Sequence, residues 1–201
     1  MKGPDQVSWF EAEATLSLAL IQRAAPDRDA AIIDVGAGAA TLVDGLLNAG
    51  YRRITVLDLS AAALAQAQHR LAERAQTIAW CETDILTADL PANEFDVWHD
   101  RAVFHFLTDA AHRVRYVAQV RHALRFGGYA LVATFAEDGP TRCSGLEVAR
   151  YSPDALHTEF GDDFRLVASR RQMHRTPWGA WQAFTYCLCR FEPHASSRHA
   201  A

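Results

Sequence analysis

The run Ala31-Ile32-Ile33-Asp34-Val35-Gly36-Ala37-Gly38-Ala39-Ala40-Thr41-Leu42 most narrows what this chain can fold into. A short apolar strand ends in an acid, turns on two glycines and leads straight into a helix. This arrangement brings bare backbone up to a ligand and aims the helix's unsatisfied N–H groups at the same place. Gly36 and Gly38 allow the close approach and the unusual backbone angles that it needs. Twenty residues beyond Gly38, a second strand, Ile54-Thr55-Val56-Leu57, ends in Asp58. A carboxylate there is placed to accept from both hydroxyls of a ribose. The ligand expected is therefore a nucleoside.

The glycine spacing narrows the choice. A dinucleotide fingerprint, G-x-G-x-x-G, would need glycine where this chain has Thr41. The pattern present is D-x-G-x-G-x-A, followed at intervals by Leu57-Asp58-Leu59-Ser60, Thr83-Asp84-Ile85-Leu86 and Phe95-Asp96-Val97-Trp98-His99-Asp100-Arg101. In order and spacing these resemble the motifs of class I S-adenosylmethionine-dependent methyltransferases, whose first usually reads (D/E)-x-G-x-G-x-G. Ala40 stands in for the last glycine. The resemblance covers about Trp9 to Phe191.

Composition bounds the rest. A chain of 201 residues, half of them hydrophobic, holds one domain with a sizeable core. Residues 1–193 are expected to form it, with 1–25 as an N-terminal helical lid and 194–201 as a disordered tail. No apolar run approaches the roughly 20 residues that cross a bilayer. Met1-Lys2-Gly3-Pro4-Asp5 lacks a signal-peptide layout. Among Cys81, Cys143, Cys187 and Cys189 there is no C-x-x-C pair, so free thiols in a reducing cytoplasm are expected and no metal site. A net charge of −4 argues against a nucleic-acid partner. A monomer or homodimer away from membranes is expected.

Hydrophobic periodicity alternates helix and strand. Helices are expected near Phe10–Ala24, Ala40–Asn48, Ser60–Ala75, Ala110–Arg125 and Pro153–Phe160, with Ser60 as an N-cap. The apolar stripe of the fourth helix is Val114, Val117, Val120, Ala123 and Leu124. Strands are expected near Ala31–Val35, Arg53–Leu57, Thr77–Cys81, Phe95–Trp98 and Tyr129–Phe135, the last launched by Gly127-Gly128. A helical turn follows Trp98 around Arg101–Phe106. Residues 136–150 read as a long loop, and Phe164–Met173 with Trp181–Phe191 as an antiparallel hairpin. Repeated strand–helix units imply an α/β fold with a mostly parallel sheet. The resemblance makes it a Rossmann-like, doubly wound sheet of seven strands ending in that hairpin.

The resemblance also implies a site. Asp34 would serve the amino-acid end of S-adenosylmethionine, Gly36, Ala37 and Gly38 would bind the cofactor through their close backbone approach, and Asp58 would hold its ribose. Asp84 would accept from the adenine amino group, with Ile85, Leu59 and Leu86 against the ring. His99, Asp100, Arg101 and His105 would lie beside the transferable methyl group, His99 also touching the cofactor. They are candidates for base, orienter or anion-binding group. Trp9 would close over the cofactor as a lid.

Plainer readings stand beside these. Asp34 would also serve as a turn former, Asp84 as a solvated loop acid, Asp100 in a structural ion pair, and His105 as a core histidine. Trp9 would equally anchor the first helix. Cys143 and His174 are candidates for lining an acceptor pocket.

The expected function is methyl transfer to a small-molecule acceptor by direct in-line displacement, a small thiol or sulfide being one possibility. Protein-lysine N-methylation is the alternative, although Arg101-Ala102-Val103 stands where such enzymes carry Lys-Gly-Thr. The absence of an N-P-P-Y motif weighs against nucleobase methylation. A nicotinamide-dependent oxidoreductase is disfavoured by Thr41 and by the lack of a Tyr-x-x-x-Lys pair. A non-catalytic binding module is disfavoured by the polar density after the fourth strand.

Overall fold

The computed structural model describes residues 14–38 and 40–193. Trp9, most of the expected lid, Ala39 and the tail 194–201 lie outside the described residues. In chain order the elements are α1 (Thr15–Ala24), β1 (Ala31–Val35), α2 (Leu42–Asn48), β2 (Arg53–Asp58), α3 (Ala61–Leu71), β3 (Ile78–Glu82), β4 (Phe95–Arg101), α4 (Ala110–Ala123), β5 (Leu124–Phe135), β6 (Arg142–Cys143), β7 (Leu146–Glu147), α5 (Pro153–Phe160), β8 (Phe164–Arg175) and β9 (Trp181–Phe191). Short 3₁₀ segments cover Ala72–Thr77 and Phe104–Phe106.

Seven strands form one sheet in the order β3-β2-β1-β4-β5-β9-β8. The first five run parallel, and β9 and β8 close it antiparallel, β8 lying outermost. All five residues of β1 are buried because helices cover both faces at the centre of the sheet. Successive side chains alternate between two cores. Ile32, Val56 and Val97 pack with Leu20, Ile21, Val43 and Leu46 of α1 and α2. Ile33, Leu57 and Trp98 pack on the other face with Val117, Val120 and Leu156 of α4 and α5.

Local chemistry explains most boundaries. The Ser60 hydroxyl accepts from Ala63 N–H at 3.2 Å and caps α3. Ser152 caps α5 in the same way, with Pro153 opening the first turn. In the β6–β7 hairpin both turn residues, Ser144 and Gly145, have positive φ, at 51° and 86°.

Three expectations are corrected. Val114 is 70% exposed, and the buried stripe of α4 is Tyr116, Val117, Val120 and Ala123. Gly127 and Gly128 lie inside β5, which begins at Leu124, and mark an irregular register against β4. Finally, β4 continues to Arg101, so His99 and Asp100 are strand residues. Consecutive strand residues face opposite sides, so those two neighbours are separated by the sheet.

Candidate active site

The carboxyl ends of β1, β2 and β4 open onto a cavity of about 540 Å³. That is within the range that takes a drug-sized ligand. Gly36, with φ of +65°, and Gly38, with φ of +50°, turn the chain from β1 towards α2 at its floor. Gly36 N–H donates to Leu57 O at 2.7 Å, which ties the bend to β2.

Asp58 stands at the tip of β2. Its Oδ2 accepts from Gly38 N–H and its Oδ1 from Ser60 N–H, both at 2.8 Å. The carboxylate therefore clamps the glycine bend as well as facing the cavity, although Ser60 does the side-chain capping. Each oxygen keeps a second lone pair for a ligand donor. Burial pushes the Asp58 carboxyl up, and the backbone N–H bonds of Ser60 and Gly38 oppose this. Beside it Leu59 is 73% exposed, an apolar side chain held at the cavity wall. Asp84 lies just past β3, where its Oδ1 accepts from Leu86 N–H at 2.9 Å. Ile85 is buried and also borders the cavity.

Asp34 and His99 are register partners on β1 and β4 and share one face. His99 Nδ1 lies 2.6 Å from Asp34 Oδ1 and Nε2 lies 2.9 Å from Ser17 Oγ of α1. A carboxylate only accepts, so Nδ1 carries a proton and donates it. With both ring nitrogens engaged, His99 is placed to orient Asp34 rather than to take a proton from an acceptor. Asp34 lines the same cavity, and its Oδ2 is buried with no hydrogen-bond partner among the described residues. A buried carboxylate oxygen without a donor is costly unless a ligand supplies one.

Arg101 also lines the wall. Its Nε donates to Tyr186 Oη at 2.9 Å, and its guanidinium lies over the Phe184 ring at 4.3 Å. Tyr186 Oη donates in turn to Gln172 Oε1 at 2.8 Å. The two other residues expected beside a methyl group are not at the cavity. Asp100 is fully buried on the opposite face and accepts from Tyr116 Oη, Val103 N–H and Phe104 N–H. His105 is enclosed by Phe106 and Phe135, with Phe135 N–H directed at its Nδ1. Burial, and then the Arg101 charge, push His105 down to about 3, so it stays neutral. Of the late residues, Ser144 reaches the cavity, Cys143 is buried, and His174 packs edge-on to Phe184.

Sequence reasoning missed Ser17, Tyr116 and the Tyr186–Gln172 pair. Ser17 had a signal: it interrupts the apolar residues of an amphipathic helix. Tyr116 had one too, being spaced with Val120 and Ala123. The register that brings Tyr186 to Arg101 joins residues 85 apart and leaves no local trace.

A glycine bend and acids on neighbouring strands thus meet at the carboxyl edge of the parallel part of the sheet, where doubly wound folds collect their ligands. Residues 32–128, just under half of the chain, match the family described as "Methyltransferase domain". An uncharacterized methyltransferase of Mycobacterium tuberculosis is 36% identical over 95 residues, 45% of this chain and 45% of the relative. The chain thus matches less than half the length of such curated relatives. A solved structure concerned with conversion of a disulfide bond into a thioacetal group during echinomycin biosynthesis superposes with a TM-score of 0.74 at 16% identity, over 97% of this chain and 89% of that one. The Burkholderia thailandensis 1,6-didemethyltoxoflavin-N1-methyltransferase, with S-adenosylhomocysteine bound, gives 0.70 at 21% identity, over 90% and 80%. At such identities the superpositions establish the shared fold. Among the described residues no helix is long and apolar enough to cross a membrane, and no cluster of metal-ligating side chains occurs.

Proposed function

We propose that this chain transfers the methyl group of S-adenosylmethionine to a small-molecule acceptor by direct displacement. The observation that carries this reading is the convergence, in one cavity, of the glycine bend, the two-oxygen face of Asp58 and the unpartnered buried Oδ2 of Asp34. These groups fit the cofactor by chemistry. Asp58 takes the ribose hydroxyls on its remaining lone pairs, and Asp34 Oδ2 takes the ammonium. Asp84 accepts from the adenine amino group, with Leu59 and Ile85 against the ring. When bound, S-adenosylmethionine supplies a methyl group already activated on a sulfonium.

The protein's remaining work is to orient the acceptor and exclude water. His99 is held by Asp34 and Ser17, so it is a poor general base. A small thiol or sulfide suits such a cavity, because its nucleophilic anion forms near neutral pH without assistance. Nothing in the comparisons points to protein lysine.

Calorimetry with S-adenosylmethionine, S-adenosylhomocysteine and NAD tests the cofactor. The first two should bind and NAD should not. Asp58→Ala should weaken binding by about 10- to 100-fold, the value of one or two charge-assisted hydrogen bonds. Formation of S-adenosylhomocysteine against thiol, hydroxyl and amine acceptors then identifies the accepting atom. Wild-type affinity in Asp58→Ala would refute the ribose assignment.

A further inference from the structure

We infer that Asp100 and Tyr116, across the sheet from the cavity, are positioning residues that hold the turn after β4 so that Val103 braces the glycine bend for its cofactor. The inference rests on the methyltransferase reading above and adds two residues that touch neither cofactor nor acceptor.

The chain of contacts is continuous. Trp98 Nε1 donates to Tyr116 Oη at 2.9 Å, and Tyr116 Oη donates to Asp100 Oδ2 at 2.5 Å. Asp100 Oδ1 then accepts from Val103 N–H at 2.9 Å, and Oδ2 accepts from Phe104 N–H at 3.0 Å. Between them Ala102 has φ of +71°, a left-handed conformation that residues with a β-carbon avoid. Such a conformation persists where its surroundings over-determine it. Here the two N–H bonds to Asp100, and that of Ala102 N–H to Ala133 O, do so. The turn sets Val103 against Gly36: a β-carbon on Gly36 would lie 1.9 Å from Val103 Cγ2. Ala102, Val103, Phe106 and Leu107 all border the cavity, so the turn is both its wall and the brace of its floor.

The anchor needs an ionised acid. Three donors converge on two oxygens, and a carboxyl hydrogen would oppose one of them. Burial pushes Asp100 up to about 6, against the lowering effect of Tyr116 and the turn N–H groups. Tyr116 itself is pushed well above its usual range. The other groups facing this cluster are His99, next to Asp100 but on the opposite face of β4, and Tyr151, reached through Phe104; burial and then the Glu159 charge push Tyr151 up to about 12 against the lowering effect of Arg113. Loss of the Tyr116 hydroxyl removes a donor to the anion and makes Asp100 easier to protonate.

The test is the affinity for S-adenosylhomocysteine from pH 5 to 8 in wild type, Tyr116→Phe, Val103→Ala and Asp100→Asn. Wild-type affinity should fall as pH drops through about 6. Tyr116→Phe, which keeps the ring packing, should move that fall to higher pH by about one pH unit. Val103→Ala should weaken binding several-fold at every pH without moving the midpoint. Asp100→Asn should bind weakly and lose the component near pH 6, which also covers a Tyr116→Phe protein that fails to fold. The contribution of Asp58 is common to all four proteins. An unmoved midpoint in Tyr116→Phe, or wild-type binding by Val103→Ala, overturns the inference alone. Failure of the wild type to bind at pH 8 instead defeats the methyltransferase reading, and this inference with it.

Discussion

A β-carbon added at Gly36 would lie 1.9 Å from Val103 Cγ2, so that position is glycine for reasons of space as well as backbone angle. Gly36→Ala should destabilise the fold by roughly 2–4 kcal/mol, combining overpacking with an alanine at φ of +65°. Adding Val103→Ala should recover part of this, because the clash is removed while the backbone strain remains. Chemical denaturation of the two single variants and the double variant measures that coupling. Strict additivity would mean that the two residues do not press on each other. Asp58 teaches a related lesson. Read from sequence it is a ligand acid; in the fold it is also the clasp that holds Gly38 and Ser60. An Asp58→Asn variant should therefore lose loop order as well as affinity.

At the scale of elements, the end of β4 and the connection that leads from it to α4 carry two buried groups with opposed pH linkages. His105 is held near 3, below its usual 6.5, so the unfolded chain gains its proton first. Its contribution to stability is present above about 6.5 and is lost as pH falls towards 3. Asp100 is raised from 3.8 to about 6, so its folded form gains the proton first. It favours the fold increasingly as pH falls from about 6 towards 4. Each amounts to about 1.4 kcal/mol per pH unit within its window, and between pH 6 and 4 the two largely cancel. His105→Gln should remove one side of that balance. Its unfolding free energy should then rise, relative to wild type, as pH is lowered from 6 to 4. Parallel pH profiles would show that His105 is not held neutral by the fold.

The same connection marks where the sequence stops being legible. The glycine bend, Asp58, the cap Ser60 and the terminal hairpin all follow from short-range chemistry that a single segment displays. The polar run His99-Asp100-Arg101 reads as lying beyond the fourth strand, with Arg101 opening a helical turn, because the apolar pattern of β4 ends at Trp98. In the fold those three residues continue the strand, and parity alone sends His99 to the cavity and Asp100 to the opposite core. A grouping that looked like one catalytic cluster is thus two unrelated networks joined by backbone. Arg101 finds Tyr186 only through the pairing of β5 with β9, which no spacing rule reveals.

For the molecule as a whole, the cavity joins β1, β2 and β4 at the middle of the sheet, so a bound cofactor should stiffen the entire domain. S-adenosylhomocysteine at a 100-fold excess over Kd should add about 2.7 kcal/mol of stability. For a chain of this size that corresponds to a rise of roughly 5–10 °C in Tm, read by calorimetry. No rise at saturating ligand would place the binding groups outside the cooperative unit.

Strand β8, outermost in the sheet, has a bearing on solubility. Arg165, Arg170, Arg171 and Arg175 are exposed along its length. Were another chain to extend the ladder there with its own β8, those guanidinium groups would be crowded against their counterparts. Arg165 and Arg171 are paired with Glu192 and Asp138, so the repulsion falls chiefly on Arg170 and Arg175, and it raises the cost of using this long flank as a template for fibrils.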